Sequence, residues 1–172
     1  DNKPNDMQAL LNLQINGLEV SKLILDQIGK IGEKIELGYY ETINAEKSFS
    51  YIHPGNKLAV VVGFNKSSAD GEVGKNVAMQ IAAMNPVSID KDDCPQDIIK
   101  KEIEIGMEQA RQEGKPEAML EKIALGKLNK FYSESTLMNQ DFIRDSKTIV
   151  GNYVRQSDKE LKVTGFKRFS LS

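Results

Sequence analysis

The stretch that most constrains this chain is a short helix with almost no polar face, GKNVAMQIAAMNP at residues 74–86. Four apolar side chains recur in and just before it at helical spacing and form one stripe: Val73, Val77, Ile81 and Met84. Three alanines beside this stripe have small side chains, which allow other elements to approach the helix closely: Ala78, Ala82 and Ala83. A helix of this kind must touch neighbours on most of its sides, so the pattern predicts a central core helix.

Only one side of this helix carries uncharged polar side chains. Asn76 and Gln80 lie one turn apart, so we expect that side to face either water or a partner. Pro86 cannot continue a helix and marks its end.

Helices and then strands precede the central helix. Between Asp6 and Ile31, apolar residues recur every three or four positions, and Gly17 indicates a break between two helices. The period changes to two over residues 35–43, which is typical of a strand with one solvated face. Further strands are predicted over residues 47–52 and 58–64, joined by the turn sequence His-Pro-Gly-Asn. We expect the three strands to form an antiparallel meander whose last strand is the most buried.

The region after the central helix predicts a long helical hairpin. Pro95 could begin its first arm, with Asp92 or Asp93 near the cap, and Gly114 and Pro116 join the two arms. Each arm carries a narrow apolar stripe among many charges: Ile99, Ile103, Met107 and Ala110 on the first, and Met119 or Leu120, Ile123, Ala124 and Leu128 on the second. These stripes indicate a protruding antiparallel coiled coil at about residues 95–132.

The tail is predicted to return to the sheet. A short helix over residues 147–156 precedes a strand over residues 161–171, in which Leu161, Val163, Phe169 and Leu171 share one face. We therefore predict an α+β fold, with antiparallel sheet lobes, flanking helices and a projecting antiparallel helical hairpin. We expect an N-terminal lobe at residues 1–66 and a C-terminal lobe, which carries the hairpin, at residues 67–172.

Composition limits the classes of partner. The chain has 172 residues, and its 23 basic and 25 acidic residues are spread out, so we expect no nucleic-acid partner. No apolar run approaches the ~18 residues of a membrane span, so we expect a soluble, cytoplasmic protein without a membrane partner. The single Cys94 excludes an intramolecular disulfide and fits a reducing compartment. Because the chain begins at Asp1 without a Met, we expect it to be part of a longer protein.

The sequence carries no recognisable catalytic or cofactor motif. The chain contains both a cysteine, Cys94, and a histidine, His53, but nothing in the sequence indicates that they are oriented towards each other as a catalytic pair. The acidic residues at positions 90, 92 and 93 lack the glycine turn and the distal glutamate of a calcium loop. Neither GxxxxGK(S/T) nor GxGxxG after a strand occurs, so we do not expect the chain itself to bind nucleotide. We expect no catalytic residue, no cofactor and no metal, and hence a protein that is not an enzyme.

Two places have both a structural and a functional interpretation. His53, the only histidine, lies in a Pro-Gly turn, where side chains usually point into solvent. Ile31 and Gly32 form the end of a helix, and an exposed isoleucine there would suit a contact surface. The residues alone leave both interpretations open.

Five sequence blocks resemble one family. NVAMQIAAMNP is similar to the IAMHIAA helix of elongation factor Ts, with Gln80 where many members have histidine. Four other blocks occur in the family's order: KIGEKI at residues 30–35, SYIHPGNKLAVVV at 50–62, GKPEAMLEKIALGKLNKF at 114–131 and VTGFKRF at 163–169. The chain therefore resembles the core and dimerisation region of this family with its coiled-coil arm. It has no match to the family's N-terminal helical domain or its Thr-Asp-Phe-Val motif.

The resemblance implies a translation factor that binds elongation factor Tu, exchanges its guanine nucleotide and promotes GDP release. It implies that His53 contacts the far domain of that partner, and that Ile31 and Gly32 press on its nucleotide-binding domain. Asn76 and Gln80 complete the expected partner-binding set. The resemblance is also compatible with association of two copies of this chain, since some family members dimerise through this region. Two alternatives stay open: a module that binds elongation factor Tu with little exchange activity, and an enzyme of unknown chemistry.

Overall fold

Residues 3–171 are described by a computed structural model, which divides the chain into two compact units. The first unit ends at Thr42 and the second begins at Ile43, whereas the sequence pattern places the division after residue 66. The predicted α+β class is confirmed, since helices and antiparallel sheets both occur. Within residues 3–171, no helix has the combination of length and apolarity needed to cross a membrane.

The first unit holds two helices with a small hairpin between them. Helix α1 (Met7–Asn12) begins after Asp6, whose carboxylate accepts a hydrogen bond from the backbone N–H of Ala9 at 2.7 Å. Strands β1 (Gln14–Ile15) and β2 (Leu18–Glu19) pair around Asn16 and Gly17, which both have positive φ. Helix α2 (Val20–Ile31) follows. The predicted break at Gly17 is confirmed, and the Asn-Gly pair is the sequence signal of the additional hairpin.

The strand predicted over residues 35–43 is wrong. Residues 32–46 contain neither helix nor strand. Leu37 and Tyr39 are exposed, so the alternation of apolar and polar residues does not mark a buried face there. A strand also needs a hydrogen-bonded neighbour, and within residues 3–171 no strand pairs with residues 35–43.

The second unit contains the main sheet, the central helix and the helical hairpin. Its elements in chain order are β3 (Lys47–Ile52), β4 (Leu58–Phe64), α3 (Gly71–Met84), α4 (Gln96–Gln112), α5 (Glu117–Ser135), a 3-10 turn (Leu137–Asn139), β5 (Asp141–Phe142), β6 (Asp145–Ile149), α6 (Val150–Ser157) and β7 (Val163–Ser170). The predicted bounds of β3 and β4 are confirmed. The sheet is antiparallel with order β3-β4-β7, so the predicted return of the tail to the sheet is also confirmed.

A β-bulge changes the predicted face of the last strand. The register shifts where Gly63 pairs with Gly165 and Phe64 pairs with Val163. Strict alternation would place Val163 and Phe169 on one face, but the bulge turns Val163 into the core beside Phe64. Phe169 pairs with Ala59 and lies on the other face. The prediction that these residues share a face with Leu161 and Leu171 is therefore wrong.

The core of this unit lies between β4 and α3. Helix α3 begins at Gly71, earlier than its apolar pattern suggests, because the Asp70 carboxylate accepts hydrogen bonds from two backbone N–H groups of the first turn at 2.8 and 3.1 Å. Side chains of both elements form one buried cluster: Val60, Val62, Phe64, Val73, Val77, Ala78, Ile81 and Ala82. The predicted central position of the helix is confirmed, except that Ala83 and Met84 are exposed at its end.

The amide of Gln80 is buried, contrary to the expectation that its side of the helix faces water or a partner. Its exposed fraction is 0%. Its Nε2 donates hydrogen bonds to the Gln140 side chain and to the Asp141 carbonyl, both at 3.1 Å, and its Oε1 accepts one from the backbone N–H of Ile143 at 2.9 Å. Gln80 thus holds the hairpin of β5 and β6 against α3.

Asn76 has the same kind of environment one turn earlier and is 4% exposed. Its Nδ2 donates a hydrogen bond to the Tyr153 hydroxyl at 2.7 Å, and its Oδ1 accepts one from Arg144 Nη1 at 2.6 Å. The charged residues Glu72 and Lys75 occupy the solvent-facing side of α3 instead. The amide side faces the chain's own tail, so the prediction of a solvent- or partner-facing side is wrong.

The predicted helical hairpin is confirmed. Helices α4 and α5 pack mainly on each other and bury Ala110, Leu120, Ala124 and Leu128. A Cβ atom at Gly106 would lie 3.1 Å from the Cα of Ala124, so glycine allows the two helices to approach closely. The sequence pattern predicts Pro95 and Pro116 as the first helical residues. Each instead lies directly before its helix, so both helices begin one position later than predicted.

Replacing Gly74 by Ala should destabilise the protein. A Cβ atom at Gly74 would overlap the ring of Phe49, which must then shift. Overpacking of this kind costs about 1–3 kcal/mol, and urea unfolding followed by circular dichroism measures it. Gly71→Ala is the matched control, because nothing lies within 4 Å of a Cβ atom there. Equal stability of the two variants would contradict the close contact between α3 and β3.

Replacing Gln80 by Leu should lower the free energy of unfolding by about 1–3 kcal/mol, since leucine leaves buried hydrogen-bonding groups without a partner. The backbone N–H of Ile143 loses its acceptor, so its hydrogen exchange should accelerate. Lys75→Leu, on the exposed side of the same helix, controls for the change to leucine. Unchanged exchange at Ile143 would show that Gln80 does not hold the hairpin.

Candidate functional site

His53 lies in a tight turn directly after β3. Its backbone N–H donates a hydrogen bond to the Leu58 carbonyl at 2.8 Å, and its carbonyl accepts one from the backbone N–H of Asn56 at 3.0 Å. Gly55 and Asn56 have φ of 92° and 56°, which closes the turn. The turn therefore fixes the backbone of His53 while its side chain is exposed, as the sequence predicts.

The ring of His53 has a specific neighbour in Tyr51. The Tyr51 hydroxyl oxygen lies 3.0 Å from His53 Nδ1, and the two rings meet edge to face with centroids 6.0 Å apart. Tyr51 lies opposite Val60, and its half-buried ring packs against the buried cluster. Side chains two residues apart on a strand share a face, which is the sequence signal for this pair.

Ile31 and Gly32 form the end of α2, as predicted. Gly32 has φ of 78°, and its N–H donates a hydrogen bond to the Ile28 carbonyl at 2.8 Å. This left-handed cap favours glycine, and nothing lies within 4 Å of a Cβ atom there. Ile31 is 57% exposed, so the helix end carries an apolar side chain accessible to a partner.

The five predicted partner-binding residues therefore divide into two kinds. Ile31 and Gly32 are exposed in the first unit, and His53 is exposed in the second. Asn76 and Gln80 are buried and hydrogen-bonded within the second unit, so neither amide is available to a partner in this conformation.

Among the residues considered for catalysis or metal binding, Cys94 is buried and Asp93 is hydrogen-bonded within the chain. Cys94 is buried, and burial raises the pKa of its thiol, which disfavours the nucleophilic thiolate. The Asp93 carboxylate accepts hydrogen bonds from the backbone N–H groups of Ile89 and Asp90 at 2.9 and 2.6 Å. It stabilises the preceding loop, and α4 receives no side-chain cap from it. The expectation of an aspartate cap on α4 is wrong.

Comparison with known proteins agrees with the blocks described above. The sequence model of the family described as Elongation factor TS matches residues 1–172. The elongation factor Ts of Azobacteroides pseudotrichonymphae genomovar. CFP2 is 44% identical over 172 residues, covering 100% of this chain and 63% of the relative. The elongation factor Ts of Porphyromonas gingivalis is 46% identical over 173 residues with the same coverage. That of Cytophaga hutchinsonii is 47% identical over 173 residues, covering 99% of this chain and 62% of the relative.

The chain thus spans about 63% of the length of the first two of these relatives. Because the family match extends over every residue and the identity exceeds 40%, the chain belongs to the elongation factor Ts family.

Proposed function

We propose that this chain is the part of an elongation factor Ts that binds elongation factor Tu and promotes release of its GDP. The family match over residues 1–172 carries the proposal. The exposed Ile31 and the exposed His53 support it, because both lie where the resemblance implies contacts with that partner. A factor of this kind acts where translation takes place, in the cytoplasm.

The mechanism is a linkage between two binding equilibria, with no covalent bond made or broken. A partner that binds the nucleotide-free state of elongation factor Tu more tightly than the GDP-bound state must weaken GDP binding by the same factor. The chain's contribution is therefore a difference in contact energy between these two states. Ile31 would supply apolar contact at one place, and His53 would supply a polar contact at another.

The alternative is a module that binds elongation factor Tu but drives exchange weakly, and one observation favours it. The resemblance implies that the Asp-Phe pair of the Thr-Asp-Phe-Val motif acts near the Mg²⁺ that holds GDP, the largest local charge at such a site. The Asp-Phe pair of this chain cannot substitute for it. Phe142 is buried, and its ring stacks on Tyr153 with centroids 4.2 Å apart.

These 172 residues should therefore bind elongation factor Tu yet release its GDP more slowly than a full-length relative does. Stopped-flow release of fluorescent GDP at saturating chain measures the rate, and a titration under the same conditions measures the binding. The comparison protein is the same chain extended at its N-terminus by the corresponding segment of a relative. Equal rates would place the exchange machinery within these residues, and absence of binding would overturn the proposed function.

Replacing Ile31 by Ala should weaken binding to elongation factor Tu by about 1–3 kcal/mol, since truncating a central interface residue has this effect. Leu25→Ala is the matched control. Leu25 lies on a different side of the same helix and is 65% exposed, compared with 57% for Ile31. Equal losses for the two variants in a calorimetric titration would remove Ile31 from the contact surface.

A further inference from the structure

Tyr51 carries a polar group at a fixed position beside an exposed histidine. Its ring packs against the buried cluster beneath β3 and lies opposite Val60. The hydroxyl oxygen of a tyrosine lies in the plane of its ring, so a ring held in this way also fixes the position of that oxygen. The hydroxyl oxygen lies 3.0 Å from Nδ1 of His53, whose backbone is held by the turn. The histidine is therefore constrained through both its backbone and its ring.

This hydrogen bond favours one of the two forms of a neutral imidazole over the other. One ring nitrogen carries a proton and donates, while the other has a lone pair and accepts. The Tyr51 oxygen and Nδ1 lie within hydrogen-bonding distance, and either atom can accept from the other. A phenol O–H is the more acidic donor and an imidazole nitrogen is the more basic acceptor, so donation from Tyr51 to Nδ1 is the stronger of the two arrangements. When Tyr51 donates to Nδ1, the proton of the ring lies on Nε2, on the side of the imidazole away from Tyr51.

We infer that Tyr51 is a positioning residue that holds His53 with a protonated Nε2 presented to the partner, so that His53 meets a hydrogen-bond acceptor such as a carbonyl or carboxylate oxygen. The identity of the partner rests on the proposed function, whereas the form of the ring does not. Fixing both ring orientation and proton position before binding lowers the entropy lost in forming the contact. It also sets specificity, because a donor group on the partner would be left facing another donor.

The first experiment measures the ring in the free protein. Long-range ¹H–¹⁵N correlation spectra show which nitrogen of His53 is protonated, and we expect Nε2 at a pH where the ring is neutral. Tyr51→Phe keeps the ring and removes the hydroxyl, so the proton should redistribute between the two nitrogens. Tyr153→Phe removes a phenol hydroxyl that bonds to Asn76 instead, and it should leave the His53 signals unchanged. A predominantly Nδ1-protonated ring, or unchanged signals in Tyr51→Phe, would overturn the inference.

The second experiment measures affinity for purified elongation factor Tu bound to GDP. Tyr51→Phe should weaken binding about two- to tenfold, the range expected for one hydrogen bond. The same change in a His53→Ala background should have no effect, because Tyr51 acts only through His53. An equal loss in both backgrounds would show that Tyr51 acts by another route and would overturn the inference.

Two substitutions at the exposed position 53 provide a test that does not depend on altering the core. His53→Gln places an amide N–H near the position of Nε2, whereas His53→Asn places one near Nδ1. The glutamine variant should bind elongation factor Tu more tightly than the asparagine variant. The reverse order would overturn the inference. If His53→Ala binds as tightly as the native chain, the proposed role of His53 as a contact fails, while the spectra still decide the form of its ring.

Discussion

The packing of α3 on β4 is the contact on which the second unit depends. Val62 and Phe64 of the strand and Val77 and Ile81 of the helix are fully buried, and other elements of the unit attach to this pair. Gly74 allows the ring of Phe49 to lie directly against the helix. A dense interior of this kind tolerates little change of volume, which explains why small residues recur along α3.

Buried amides attach the tail to this central pair. Gln80 donates to and accepts from the hairpin of β5 and β6, and Asn76 does the same for Tyr153 and Arg144. The resemblance places histidine at position 80 in many relatives, and a neutral imidazole also offers one donor and one acceptor. The exchange of histidine for glutamine therefore preserves the type of hydrogen bonding available to the hairpin. In this chain, position 80 has an internal role.

The sequence predicts those elements whose pattern depends on local chemistry. The bounds of β3 and β4, the helical hairpin and the cap at Gly32 follow from periodicity, turn residues and glycine.

The sequence does not predict features that depend on distant segments. Residues 35–43 alternate like a strand but have no strand partner, and the bulge at Gly63 changes the face of Val163. Asn76 and Gln80 look solvent-facing because their partners lie 60 or more positions away in the sequence. The turn sequence identifies His53 as a candidate contact, and its spacing from Tyr51 indicates only that the two side chains share a face, whereas the hydrogen bond between them is seen in the folded structure.

The pairing of β4 with β7 has a consequence for the order in which the molecule forms. Val62 pairs with Phe166, so the central strand gains its second neighbour only after the whole intervening chain has been synthesised. Helices α4 and α5 make contacts that are local in sequence, and such contacts form fast. On the ribosome the hairpin of α4 and α5 can therefore fold while one edge of β4 is still unpaired. Unpaired strand edges promote aggregation of nascent chains, so one edge of β4 is open to such association until β7 emerges.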